Sequence, residues 1–405
     1  MGSMVPPNAR NKQAPVVFIS AAEPSGDLHG ASLIEAVRRR RPATRFVGLA
    51  GPRMQRAGCE VLYDLTRNSA MLLGVVGKLR EGVELLCRVD RYLAEHRLDA
   101  AVMIDSPTLN LPFAHRAKAR RLPVFYYVAP QVWAWAEYRV GKIRRRVDRL
   151  ATILPFEEAF FRGHDIPAVY VGHPLFDSDA VREPDPRRVA DLRQRGDPVV
   201  AILPGSRSHV IDEVLPGQLE VAAAVRRSFP RAAVLISAAH HEARSTIDAV
   251  LAGSAIQPAA IGEDTPEIIA AADLVLVASG TATLVVAAYR KPMIVMYNAS
   301  QWGYRLIGRH LITTPHLSLV NILAGRELVP EFMPYYTSTR PITDAALAIL
   351  RSEERKQELT RQLDELITPI AKPGAADNAA AELLDLIDSR NEHRPVPAGS
   401  THAIW

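Results

Sequence analysis

The chain has 405 residues, 48% hydrophobic and 23% charged, a composition that excludes disorder over most of its length and, at this size, points to two domains. Its only two cysteines, Cys59 and Cys87, exclude a disulfide scaffold. A net charge of +5 and a pI of about 9.2 favour anionic partners without specifying one.

The polar stretch 1–13 lacks the apolar core of a secretory leader, and no run of about eighteen apolar residues offers a membrane span. Short runs rich in Val and Ile then alternate with amphipathic stretches. They cover 15–21, 45–50, 100–105, 124–129, 150–155 and 168–172, then 199–204, 233–238, 274–278 and 293–297. Runs this short and continuously apolar predict strands buried on both faces of parallel sheets, and stretches such as 33–40 and 218–227 predict the helices between them. The fold class is therefore α/β. The series restarts after a charged segment, 177–198, that contains Pro184 and Pro186. Residues 14–177 are expected to form one Rossmann-like domain and 178–365 a second; helices at 366–390 can pack back on the first, and 391–405 read as a loose tail.

Open parallel sheets bind ligands beyond the carboxyl ends of their strands. The first strand runs into Ser20-Ala-Ala-Glu-Pro-Ser-Gly-Asp27, where Ser25 and Gly26 allow close approach and Glu23 suits sugar hydroxyls better than phosphate. A helix start capped by Ser25 or Asp27 explains the same residues equally well. Ile104-Asp105-Ser-Pro-Thr-Leu-Asn110 places a carboxylate at a strand end, fit to take a proton from an attacking hydroxyl, or simply to cap the next turn. In Leu203-Pro-Gly-Ser-Arg207, Gly205 and Ser206 make a tight turn, and Arg207 can chelate phosphate or merely sit on the surface. Ser279, Gly280 and Thr281 in Ala278-Ser-Gly-Thr-Ala-Thr283 form either a diphosphate cradle or an ordinary capped turn.

The basic runs 38–41 and 142–146 read as solvated helix faces or as surfaces for anionic lipid. The stretch 71–86, with Lys78 and Arg80, reads as a buried helix or as an apolar lip for acyl chains. Neither zinc-ligand spacing nor a nucleic-acid module is visible.

Several further motifs accompany these loops: Tyr126-Tyr-Val-Ala-Pro-Gln-Val-Trp-Ala-Trp135, Leu154-Pro-Phe-Glu157, Val171-Gly-His-Pro-Leu175, Asn321-Ile-Leu-Ala-Gly-Arg-Glu-Leu-Val-Pro-Glu-Phe332 and Pro373-Gly-Ala-Ala376. Taken in order with Glu23-Pro-Ser-Gly-Asp27, Ile104-Asp-Ser-Pro107, Leu203-Pro-Gly-Ser-Arg207 and Ser279-Gly-Thr-Ala-Thr-Leu284, the set resembles the lipid-A-disaccharide synthases over nearly the whole chain. The resemblance implies two Rossmann-like domains of the GT-B type facing a central cleft. It implies inverting, metal-independent transfer of diacylglucosamine from UDP to diacylglucosamine phosphate, with no cofactor. Asp105 would then be the base, with Glu23 as the rival catalytic carboxylate, and Glu23, Ser25 and Gly26 would lie on the acceptor side. Gly205, Ser206, Arg207, Ser279, Gly280 and Thr281 would hold UDP, with Asn321 near the diphosphate. The implied partners are the UDP-sugar donor, the acylated glucosamine phosphate acceptor, an anionic membrane surface and a second copy of the chain; the implied place is cytoplasmic, on the inner face of the inner membrane. Against the family pattern, Val210 and Val285 stand where Glu is usual, Ala136 for Arg, Val320 for Pro, and Leu73-Gly-Val-Val-Gly77 for Met-Gly-x-x-Glu. A UDP-sugar epimerase of the same fold and a non-catalytic UDP- or lipid-binding homologue are the alternatives.

Overall fold

The structure, a computed structural model, describes residues 14–65, 77–298 and 314–392. It divides into two compact units. The first comprises residues up to 132, 138–174 and the chain from 374 onward; the second comprises 133–137 and 175–373.

Unit 1 is a seven-stranded, all-parallel sheet. Its elements are β1 (Val16–Ala21), α1 (Pro24–Arg40), β2 (Arg45–Leu49), α2 (Pro52–Arg56), β3 (Cys59–Tyr63), α3 (Gly77–Glu95), β4 (Ala100–Ile104), α4 (Pro107–Ala119), β5 (Val124–Tyr127), α5 (Val132–Trp135), α6 (Val140–Arg146), β6 (Arg149–Thr152), α7 (Pro155–Arg162) and β7 (Ala168–Tyr170), with α5 from Trp133 onward grouping with unit 2. The strand order is β3-β2-β1-β4-β5-β6-β7. The sheet thus grows in one direction from β1 to β3 and in the other from β4 to β7, so the order reverses between β1 and β4.

Unit 2 repeats the plan with six parallel strands. It runs α8 (Pro186–Arg193), β8 (Val199–Leu203), α9 (Ser208–Ser228), β9 (Ala233–Ser237), α10 (His241–Leu251), β10 (Ala260–Gly262), α11 (Thr265–Ala271), β11 (Leu274–Ala278), α12 (Ala282–Ala288), β12 (Met293–Met296), α13 (Leu319–Ala324), β13 (Glu331–Phe332), α14 (Arg340–Leu350) and α15 (Glu353–Ile367). The order is β10-β9-β8-β11-β12-β13, reversing between β8 and β11. The central strands β4, β8, β9, β11 and β12 are buried at every residue, as their unbroken apolar runs require.

The last helix, α16 (Ala375–Glu392), belongs to unit 1. Leu383 and Ile387 bury its inner face, and Arg39, Arg41 and Arg149 reach Asp377, Asp388, Glu382 and Asp385 at 2.6–2.9 Å. Two arginines of the run 38–41 are therefore spent within the molecule, and a third, Arg38, donates to the Ala57 carbonyl at 2.9 Å. Part of the stretch 71–86 lies outside the described residues; its remainder opens α3, which buries Leu85, Val89 and Leu93 at i, i+4 spacing and leaves Val83 58% exposed.

Candidate functional site

Each unit carries its chemistry-bearing loops at its own reversal of strand order, the place where an open α/β sheet offers a ligand crevice. In unit 1 these are the loops after β1 and β4. In unit 2 they are the loops after β8 and β11.

After β1, α1 opens with Pro24 at its first position, so Glu23 occupies the N-cap and is exposed, as is Ser25. Gly26 is buried, with Ala21 and Ile104 packed against its Cα face. Asp27 does not cap this helix. Its carboxylate is 3% exposed and accepts the amides of Gly51, Arg53 and Met54 at 2.9–3.0 Å, capping α2, whose own first residue, Pro52, has no N–H to offer.

Asp105 ends β4 in a left-handed conformation (φ 47°), and Ser106 follows in another (φ 42°). L-residues adopt this conformation at a cost, and two in succession need support. The side chain is half-buried, and burial is the main cause raising its pKa above the usual aspartate value; the Ser106 amide opposes the shift and the Glu23 carboxylate adds to it. Ser106 Oγ donates to Glu23 Oε1 at 3.4 Å, bringing the two loops together. Beside them His29 meets Tyr127 edge-on, ring centroids 6.4 Å apart. Burial lowers the pKa of His29 and of His173 to about 4 each, so both are neutral near pH 7. His173 lies in the Val171–Leu175 motif, but no metal-ligand spacing marks either histidine.

In unit 2, Gly205 (φ 109°) turns the chain out of β8, and Arg207 stands exposed at the N-cap of the 21-residue helix α9. The Val210 and Ile211 amides donate to the Arg207 carbonyl at 3.0 Å, while those of Ser208 and His209, in the first turn, have no backbone acceptor within the helix. Gly280 (φ 128°) turns the chain out of β11, and nothing lies within 4 Å of where its Cβ would be. Both loops line one cavity of about 340 Å³, to which Gly205, Ser206, Arg207, Ser279, Gly280 and Thr281 all contribute. Ser237 and Thr265 complete it from β9 and α11, hydroxyl to hydroxyl at 2.5 Å. His240 Nδ1 accepts the Ala243 amide at 3.2 Å, which leaves Nε2–H to donate to the Ser206 carbonyl at 3.0 Å and pin the loop. None of these last three side chains stood out by motif, because strand ends far apart in sequence converge on the cavity only through the fold.

Asn321 is not at the cavity. It is fully buried, its amide donating to the Val329 carbonyl and Glu331 Oε2, its oxygen accepting the Leu328 and Val329 amides, all at 2.8–3.0 Å. Every hydrogen-bonding position of its side chain is used inside unit 2, so the side chain has none left for the diphosphate near which the resemblance would put it. Glu157 is likewise structural: buried, it accepts the Ile153 and Leu154 amides to cap α7. Val210, Val285 and Val320 are buried in the core of unit 2, Val210 forming part of the cavity wall, so this wall is apolar where the family pattern carries a carboxylate.

The model of the family Lipid-A-disaccharide synthetase matches residues 17–382. A lipid-A-disaccharide synthase from Syntrophus aciditrophicus is 37% identical over 383 residues, covering 92% of this chain and 98% of its own length. Among solved structures, the calicheamicin glycosyltransferase is similar with TM-score 0.59 and 14% identity (93% of this chain, 99% of that one), and UDP-GlcNAc 2-epimerase from Neisseria meningitidis bound to UDP-GlcNAc with TM-score 0.54 and 11% identity (93% and 99%). At such identities the structures establish the shared two-domain α/β architecture of GT-B glycosyltransferases, and the sequence match decides among its users. With the family model spanning both units, the chain belongs to the lipid-A-disaccharide synthetase family.

Proposed function

We propose that this chain joins a diacylglucosamine carried on UDP to diacylglucosamine phosphate, giving the lipid A disaccharide and UDP with inversion at the anomeric carbon. The acceptor hydroxyl oxygen attacks that carbon, its proton passes to the Asp105 carboxylate, and the bond to the UDP oxygen breaks with its electron pair leaving on the diphosphate. A carboxylate with a raised pKa is a better proton acceptor than an ordinary one. The departing diphosphate is met by the Arg207 guanidinium and by the amides opening α9. The observation that carries the reading is the convergence of Gly205–Arg207 and Ser279–Thr281 on one cavity, beside a helix start and a guanidinium with no ion pair among the described residues.

Calorimetry with UDP tests it. Arg207→Ala should weaken binding at least about tenfold while leaving the melting temperature near wild type, because the side chain is exposed and unpaired. Arg207→Lys should recover little, since an ammonium lacks the planar fork that chelates two oxygens. Unchanged UDP affinity in Arg207→Ala would remove Arg207 from the donor site. Incubation with UDP-N-acetylglucosamine alone separates transferase from epimerase: interconversion without any acceptor would favour the latter.

A further inference from the structure

The turn that presents Asp105 is held by groups that never reach a substrate. Asp105 and Ser106 are consecutive non-glycine residues with positive φ. Left to themselves they would relax toward ordinary backbone angles and re-aim the carboxylate. Hydrogen bonds converge on the peptide groups around them. The Asp105 carbonyl accepts Tyr126 Oη–H at 2.5 Å and Asn110 Nδ2–H at 2.9 Å; the other Nδ2 hydrogen goes to the Ile104 carbonyl at 2.8 Å. The Asp105 amide donates to the Tyr127 carbonyl at 3.1 Å. Ser20 Oγ donates to Asn110 Oδ1 at 2.7 Å, fixing which way that amide faces. Ser20, Asn110 and Tyr126 are all 0% exposed. Burial also raises the Tyr126 phenol pKa well above its usual value, so it stays a donor.

We infer that Tyr126 and Asn110 are positioning residues, whose task is to hold Asp105 and Ser106 in the left-handed turn that aims the Asp105 carboxylate. The inference rests on the proposed role of Asp105 as base. Tyr126 comes from β5, Asn110 from α4 and Ser20 from β1, so three elements specify one backbone conformation. That is more support than an Asp capping a turn needs, and it follows what preorganisation requires, since a small misplacement of a reacting group costs large factors in rate.

The test is steady-state kinetics of the full chain with Tyr126→Phe, Asp105→Asn, and Tyr126→Phe combined with Ser106→Gly. Tyr126→Phe keeps the buried ring and removes only the hydroxyl. It should lower kcat at least about tenfold with KM within about twofold of wild type. Glycine adopts positive φ without steric cost, so Ser106→Gly should lessen the turn's dependence on the clamp and recover at least half of that loss on a logarithmic scale. An unchanged kcat in Tyr126→Phe, with Asp105→Asn still crippled, overturns the positioning role and leaves the base assignment standing. A loss that Ser106→Gly does not repair also overturns it, marking the hydroxyl as a general structural contact. An Asp105→Asn enzyme of wild-type turnover overturns the base assignment itself, and the clamp with it.

Discussion

Asp105 carries two opposed demands. In its proposed role of base it must be ionised, yet its pKa is raised, so folding favours the protonated form relative to the unfolded chain. The sign follows: its contribution to stability is present at low pH and is lost as pH rises through the folded value, so at pH 7.5 the ionised carboxylate is a net cost to the fold. Asparagine removes that cost and tolerates the left-handed conformation. Asp105→Asn should therefore melt no lower than wild type, while losing roughly two to four orders of magnitude in turnover. Thermal scans at pH 7.5 check the first half; a clear drop in melting temperature would show that the carboxylate serves the fold. Asn321 teaches the opposite lesson. Its residue type and motif suited a ligand contact, and only the four hydrogen bonds to Val329, Glu331 and Leu328 reveal that it is used up internally.

Among elements, the central strands were legible because both faces are buried and the sequence shows unbroken apolar runs. The strands that left no such signal, β3, β10 and β13, lie at sheet edges, are two to five residues long and are largely half-exposed. The loops at the two reversals of strand order were legible because strand ends announce themselves by Gly, Ser and charge. Their supports were not: Asn110 is oriented by Ser20, Tyr126 reaches the Asp105 carbonyl and His240 the Ser206 carbonyl, across 90, 21 and 34 residues of sequence. The histidines of α1 and the segment after β7 belong with these. His29 and His173, with folded values of about 4 against about 6.5 unfolded, contribute stability that is complete above pH 6.5 and is lost as pH falls toward 4, because only the unfolded chain takes up the protons. His173→Gln should shrink the fall in melting temperature between pH 7 and pH 5. An equal fall in wild type and variant would show that His173 titrates normally.

For the whole molecule, the ion pairs to α16 redistribute the surface charge. With Arg39 and Arg41 paired, the basic run 38–41 is poorly placed to bind lipid. The run 142–146 differs. Tyr138, 66% exposed, stands in the 3-10 turn Glu137–Arg139 just before α6, and the exposed Lys142 and Arg145 lie one turn apart on α6, with no ion pair to either cation among the described residues. An aromatic ring beside two cations suits an anionic membrane surface. Sedimentation with vesicles should therefore rise with anionic lipid and fall with salt, and Lys142→Glu with Arg145→Glu should abolish most of it. Binding indifferent to both variables would place the membrane contact elsewhere or deny it.

The family match fixes the lineage, while the apolar Val210 in the cavity wall, with Val285 in the core behind it, makes catalysis the point to measure directly. The decisive experiment is UDP release from UDP-diacylglucosamine by the purified chain, with and without diacylglucosamine phosphate, followed by mass spectrometry of the product. The expected result is UDP formed only when acceptor is present, in step with a β-linked disaccharide phosphate, and reduced by at least about a hundredfold in Asp105→Asn. No disaccharide from wild type, under conditions where it binds UDP, would contradict the proposed function and leave a nucleotide-binding relative that has lost the transfer step.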